Sequence, residues 1–279
     1  MQPTPNPGAN LDAALPPSVR LLPQDAEVNL FGQKTNCYLL FTASSTLVVD
    51  PPSTQESDLA AIQEAAQGPI THILVTHTHP DHIAGVKPLS QRTRATVYGH
   101  PEAQQWLELG EEPRFQTIDE GDTVEGWRVF ATPGHRADSL TFYSPQTGVA
   151  IVGDLVAGFG TVVISPPDGD LWDYLRSLER LRDEIRPVLL APGHGPLVDQ
   201  PETLLNHYIS HRLAREQLVL AALEETATPL RALLPRAYAG TDPTLYPLAE
   251  RSLLAHLLKL QREGRAQEIE GRWARSEFQ

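Results

Sequence analysis

The sequence predicts an α/β fold of sheets covered by helices, followed after Pro201 by a smaller helical unit. Three observations carry this reading. Short runs rich in Val, Ile, Leu, Phe and Tyr, bounded by Gly, Pro, Asp or Ser, recur through the first two hundred residues. Helical patterns are interspersed among them. Beyond Pro201 the strand-like runs give way to helical periodicity. The expected units are residues 1–201, a catalytic domain, and residues 202–279, a winged-helix-like C-terminal domain.

In the first unit, strands are expected at 36–41, 46–50, 72–76, 96–99, 127–132, 139–143, 149–153 and 188–191. A helix over 57–67 places Leu59, Ile62 and Ala66 on one face and stops at Gly68. A second, over 171–186, buries Leu171, Leu175, Leu178 and Ile185. Asp168 and Asp170 lie at its start, where the helix dipole favours a carboxylate. In the second unit, a helix over 202–225 carries a stripe of Leu205, Ile209, Leu213, Leu220 and Leu223. A short helix over 228–237 opens on Thr228 with Pro229 as its first residue. A third spans 248–262, with Leu253, Leu254, Leu257, Leu258 and Leu260 read as core, and a hairpin over 266–274 turns at Gly271.

Composition narrows the function. The chain has 279 residues and a formal net charge of −13. Residues 1–201 hold 12 basic and 25 acidic side chains, whereas residues 202–279 hold ten of each. An acidic catalytic half does not resemble a phosphate-binding surface. No apolar run is long enough to cross a bilayer, so no membrane partner is expected. The first twenty residues contain five prolines and no basic start, and read as a floppy lead-in and an edge strand rather than a secretory signal. The single cysteine, Cys37, excludes an internal disulfide and reads as a small core residue. A cytoplasmic protein is expected, with homo-oligomerisation open.

The chemistry is concentrated in Thr76-His77-Thr78-His79-Pro80-Asp81-His82, just past the apolar run Ile73-Leu74-Val75. Three imidazoles and a carboxylate so close together are costly to bury unless something binds them. Imidazole nitrogen and carboxylate oxygen are good zinc ligands. Pro80 breaks the extended path, so His77/His79 and Asp81/His82 can aim at two different points. His135, Asp154 and His194 each follow an apolar run and a glycine. Asp50 is a candidate supporting carboxylate. His100 and the pair Asp138/Ser139 are candidates for orienting ligands, and His72, His207 and His211 read as structural.

This pattern of His77, His79, Asp81, His82, His135, Asp154 and His194 resembles the metallo-β-lactamase superfamily. The resemblance implies a four-layer αββα sandwich. It also implies that His77, His79 and His135 hold one metal, that Asp81, His82 and His194 hold a second, and that Asp154 bridges them. Further segments, Gly32–Leu39, Gly158–Thr161, Pro192–Pro196 and Tyr208–Arg212, are similar to the beta-lactamase-like protein 2 family, which carries a C-terminal winged helix. Its mitochondrial members act on single-stranded RNA.

The expected cofactors are two divalent ions, zinc first, with iron or manganese tolerated by the same ligands. Two ions about 3.5–4 Å apart activate a bridging hydroxide for attack on an electrophilic carbonyl or phosphorus. Asp81 is the expected proton acceptor. The function expected is hydrolysis of an ester, thioester or lactone-type bond in a small molecule. The alternative is cleavage of single-stranded RNA. A diiron redox role is disfavoured, since such relatives carry glutamate where this chain has His79 and append a flavin-binding domain. A regulatory nucleic-acid-binding module would use Arg265, Arg272 and Arg275 beside the hairpin.

Overall fold

The computed structural model describes residues 6–10, 13–26, 34–107, 109–110 and 114–276. Residues 1–5 and 11–12 of the lead-in, and Gly32 and Gln33, lie outside the described residues. The part of the lead-in that is described is docked rather than floppy. Asn6 Nδ2 donates to the Ala157 and Gly160 carbonyls, 2.8 Å each, and Ala9 bridges to Val198.

Six strands form the first sheet, in the order β1 (Val19–Gln24), β2 (Thr35–Phe41), β3 (Thr46–Val49), β4 (Ile70–Leu74), β5 (Thr96–Gly99) and β6 (Phe115–Thr117). The first three pair antiparallel, and β3 to β6 run parallel. Parallel neighbours need crossovers, supplied here by α1 (Glu56–Ala65), then α2 (Pro80–Ile83) with α3 (Val86–Thr93), and then α4 (Gln104–Leu107). The second sheet has five strands: β7 (Thr123–Val124), β8 (Trp127–Ala131), β9 (Leu140–Tyr143), β10 (Val149–Gly153) and β11 (Leu189–Pro192), in the order β11-β10-β9-β8-β7. Its crossover helix α5 (Leu171–Arg180) starts on Asp170, whose carboxylate accepts from the Asp173 N–H at 3.0 Å.

Strand alternation sorts the apolar residues into layers. Tyr38, Leu40, Leu47 and Val49 face Val129, Phe142 and Ile151 between the sheets. Cys37, Leu39, Val48 and Ile73 face the other way, onto Leu59 and Ile62 of α1 and Val86 and Leu89 of α3. On the far side, Ala150, Val152 and Leu190 meet Leu171, Tyr174 and Leu178 of α5. The result is the four-layer αββα sandwich. Strands buried on both faces explain the near-continuous apolar runs.

The C-terminal part begins with α6 (Pro201–Ala222) and continues through β12 (Thr228–Pro229), α7 (Leu230–Ala237), α8 (Tyr246–Arg262), β13 (Ala266–Ile269) and β14 (Arg272–Arg275). Thr228 and Pro229 pair with Trp273 and Arg272, so α7 starts two residues later than its sequence suggests. These three short strands form the wing of a winged helix. The buried face of α6 is Leu204, Leu205, Tyr208, Ile209, Arg212, Glu216 and Val219. Of the stripe expected there, Leu205, Ile209 and Leu223 are buried and Leu220 packs half-buried on the C-terminal core, whereas Leu213 is 41% exposed. Leu258 is likewise exposed rather than core. The reason is that α6 serves two cores. Leu204, Leu205, Tyr208 and Ile209 pack against the second sheet, and Val219 and Ala222 pack with α7, α8 and Trp273.

Glu216 is the polar pin of the C-terminal unit. Its Oε2 lies 2.5 Å from Lys259 Nζ and its Oε1 2.8 Å from Arg265 Nη1, with Glu216 and Lys259 both buried. Removing the carboxylate leaves the Lys259 ammonium with Glu263 alone, at 2.6 Å. Glu216→Ala should therefore lower the unfolding free energy by about 1–3 kcal/mol. Urea unfolding followed by circular dichroism measures this, and a loss below 1 kcal/mol would contradict the pairing.

Candidate metal centre

Every sequence-predicted ligand lies just past the C-terminal end of a strand. β4 runs into the segment bearing His77, His79, Asp81 and His82, the last two on α2. His135 follows β8, Asp154 follows β10 and His194 follows β11. The two sheets bring these ends to one edge of the sandwich. There His77, His79, His135 and Asp154 form one group whose ligand atoms lie within 4.8 Å of one another. Asp81, His82 and His194 form a second.

The ring nitrogens are sorted by their outer partners. His82 Nδ1 donates to Asp50 Oδ2 at 3.0 Å, His135 Nδ1 to the Val163 carbonyl at 2.9 Å and His194 Nδ1 to the Lys34 carbonyl at 3.1 Å. His77 Nδ1 lies 3.1 Å from Thr76 Oγ1, whose own hydrogen goes to Asp50 Oδ2 at 2.5 Å. Each of these four rings has its Nδ1 engaged on the outside and turns Nε2 inward. His79 is reversed, with Nδ1 facing inward, 3.1 Å from His77 Nε2 and 2.9 Å from His135 Nε2. Asp154 stands between the groups. Its Oδ2 is 3.6 Å from His135 Nε2 and 3.5 Å from His194 Nε2, and its Oδ1 is 3.5 Å from His82 Nε2. His194 Nε2 also faces Asp81 Oδ2 at 3.3 Å.

These atoms fit a cation better than they fit one another. His82 Nε2 and Asp154 Oδ1 are buried with no hydrogen-bond partner, which is costly unless something binds them. Four ligand atoms held about 2.0–2.1 Å from a tetrahedral zinc stand roughly 3.3 Å apart. The first group's contacts, at 2.9, 3.1 and 3.6 Å, bracket that spacing.

The electrostatics divide the site. Burial depresses His77, His79 and His135, and neighbouring imidazoles add to this at His77 and His79; His79 falls to about 3. These rings are neutral, as ligands must be. Burial also opposes charge on His82 and His194. There Asp154, together with Asp50 at His82 and Asp81 at His194, outweighs it, raising His82 well above its ordinary value and His194 to about 10. Burial alone would raise Asp154, but His194 and His82 hold it well below the carboxylate range. The carboxylate side of the site thus draws in positive charge, whether protons or a metal cation.

Asp50 supports the centre as its sequence position suggested, taking the Thr76 N–H at 2.8 Å as well as His82. Asp138 does not orient His135. It accepts from Thr78 Oγ1 and from Arg136 Nε, pinning the segment between His77 and His79, while Ser139 Oγ accepts from the Arg136 N–H. His100 accepts from the Glu102 N–H and caps a helical turn, and His72 stacks on Tyr98. His207 and His211 stack on each other, outside both ligand groups. A Cβ on Gly193 would sit 2.4 Å from Asp154 Oδ1 and 2.7 Å from His82 Cε1, so only glycine fits beside the cluster there. Gly134 instead admits the α5 backbone at Tyr174, 2.2 Å from where its Cβ would be. The backbone acceptors at Val163 and Lys34 had no signal in the sequence.

Residues 31–194 match the metallo-beta-lactamase superfamily, and residues 230–273 match the beta-lactamase associated winged helix domain. A beta-lactamase-like protein 2 homolog from Drosophila melanogaster is 31% identical over 254 residues, covering 84% of each chain. An atrochrysone carboxyl ACP thioesterase from Aspergillus fumigatus is 29% identical over 226 residues, covering 76% of this chain and 67% of that one. Among solved structures, a beta-lactamase domain protein from Burkholderia ambifaria superposes with a TM-score of 0.78 at 23% identity, covering 95% of this chain and 93% of that one. With the αββα sandwich, the ligand edge and the C-terminal wing in place, the chain belongs to the metallo-beta-lactamase superfamily and carries its associated winged-helix domain.

Proposed function

We propose that this protein is a dinuclear metal-dependent hydrolase that cleaves an ester, thioester or lactone-type bond. The observation that carries the reading is the inward convergence of seven ligand-type side chains, with His82 Nε2 and Asp154 Oδ1 buried and unpartnered. His77, His79 and His135 would hold one ion, Asp81, His82 and His194 the other, and Asp154 both. Zinc suits this mix of imidazole and carboxylate, and iron or manganese could take the same ligands. When bound, such ions bring the pKa of a water molecule towards neutrality and polarise the substrate oxygen.

The chain's own residues supply the rest. Asp50, Thr76, Val163 and Lys34 engage the outer nitrogens of four rings, so their Nε2 atoms point inward before anything binds. Asp81, its side chain 26% exposed against 11% for Asp154, would take a proton from the attacking water and pass it outward. The thioesterase relative supports a thioester among the candidate bonds. The net charge of −13 weighs against an RNA backbone as the natural substrate.

Purified protein should carry close to two metal ions per chain by elemental analysis. Asp154→Ala should lower that content more than Asp81→Ala, because one carboxylate serves both groups. Equal loading in Asp154→Ala and the parent would remove the bridging role. Turnover is tested on acyl thioesters, lactones, nitrocefin and single-stranded RNA. The expected outcome is ester-class hydrolysis abolished by chelation, whereas cleavage of RNA alone would favour the ribonuclease reading.

Metal binding should also release protons unequally. Without metal, His194, raised to about 10, holds a second proton at pH 7.5, and Asp154 and Asp50 shift His82 in the same direction. His77, His79 and His135 are already neutral. Ions entering the His82/His194 group must expel protons, and ions entering the other group need not. A zinc titration in weak buffer with a pH indicator should show proton release concentrated in one of the two equivalents. Equal release with both would refute this charge distribution.

A further inference from the structure

His135 is oriented by a carbonyl in a segment with no ladder of its own. Residues 155–170 lack helix and strand, yet Val163 O sets the His135 ring at 2.9 Å. Side chains from two helices hold this segment instead. Tyr174 OH of α5 donates to the Leu155 carbonyl at 2.8 Å, and Tyr208 OH of α6 contacts the Gly160 carbonyl at 3.0 Å. Arg212, one turn further along α6, donates from Nη2 to the Val162 carbonyl at 2.6 Å. Its grip is thus one residue from the His135 acceptor.

Arg212 is an expensive choice for that task. It is only 5% exposed, its Nε has no hydrogen-bond partner, and among the described residues it forms no ion pair. The Tyr174 ring lies 5.4 Å under its guanidinium, and Glu216, the nearest acid along the same helix face, is engaged by Lys259 and Arg265. A buried, unpaired cation is costly, and one charge-assisted hydrogen bond does not offset that cost alone. α8 reinforces the placement, since His256 Nε2 lies 3.3 Å from the Arg212 carbonyl.

We propose that Arg212 is a positioning residue for His135, by which the helix leading into the winged-helix unit sets the geometry of the first metal group. Fixing the Val162 carbonyl fixes the next peptide, so that Val163 O stays in line with His135 Nδ1–H. The ring then keeps its proton on Nδ1 and its lone pair on Nε2, facing His79 and Asp154. Loss of Arg212 frees the segment, and His135 can rotate or exchange tautomer. The consequence for metal rests on the dinuclear reading above, but the consequence for the His135 ring does not.

The test therefore has two readouts, on the full chain with Arg212→Met and Arg212→Lys. In metal-free protein, histidine-ring NMR, assigned with His135→Gln, reports whether the His135 Nδ1 proton is protected from exchange. In loaded protein, chelator competition resolves the affinities of the two sites. Expected is a protected ring proton in the parent that exchanges faster in Arg212→Met. With it should come a loss of about 10–100-fold in affinity at one site only. Arg212→Lys, which keeps one donor, should recover part of both and decides the matter alone if the methionine variant does not fold. An unchanged ring proton, or equal weakening of both sites, overturns the proposal. A parent that binds no metal, with ring protection still lost in the variant, overturns the dinuclear reading and leaves Arg212 in its role.

Discussion

The arrangement depends on one constraint: buried nitrogen and oxygen atoms from both sheets must be aimed at one edge and held there. Five imidazoles and two carboxylates converge where the sheet ends meet. Left to themselves they would rotate and pair with the nearest donor. They are prevented because four of the five rings have their outer nitrogen engaged by Asp50, Thr76, Val163 or Lys34. The inner nitrogens are then committed before any ion arrives, which is preorganisation in a specific sense. The unpartnered His82 Nε2 and Asp154 Oδ1 show the cost.

The sandwich exists to satisfy that constraint from both sides. The first sheet delivers His77 through His82 and, from the end of β3, Asp50. The second delivers His135, Asp154 and His194. Neither set is sufficient alone, so the inter-sheet core of Tyr38, Leu40, Val129, Phe142 and Ile151 sets the distance between the two halves of the centre. Cross-sheet clamps sharpen it. Asn36 Nδ2 donates to the Pro192 carbonyl at 2.9 Å and the Gly195 carbonyl at 2.8 Å, and Tyr38 OH to the Pro192 carbonyl at 2.7 Å, holding both sides of His194. Packed cores resist small displacements, so the ligand separation is rigid.

The convergence of these side chains was legible in the sequence because the candidate ligands obey a local rule. Each follows an apolar run, so its place at a sheet edge could be read without knowing the topology. The same holds for Asp50. What escaped depends on partners distant in the chain. The Val163 and Lys34 carbonyls look like any others until the fold aims a histidine at them. α3 was not anticipated, since it carries Pro88 in its first turn and buries only Val86, Leu89 and Ser90. The strands β6 and β7, three and two residues long, fall below any useful period. Thr228-Pro229 has the composition of a helix start, but pairing with Trp273 and Arg272 in the wing wins over that local preference.

On α6, Leu213 was misread as buried, and the polar members of the buried face were missed, for the most instructive reason. A hydrophobic stripe finds a helix that leans on one core, and α6 leans on two. Where it crosses between them it buries Tyr208, Arg212 and Glu216 at successive four-residue steps, all polar and all bonded. Tyr208 and Arg212 hold the segment after Asp154, and Glu216 holds α8 and the approach to the wing. One polar line therefore runs from the supports of the histidine–aspartate cluster into the winged-helix core. Ala255 of α8, packed in the same cluster as the second sheet, closes the connection from the other side. A freely hinged appendage would not spend buried polar side chains this way. The C-terminal unit is better understood as the outer wall of the second sheet, extended by a wing.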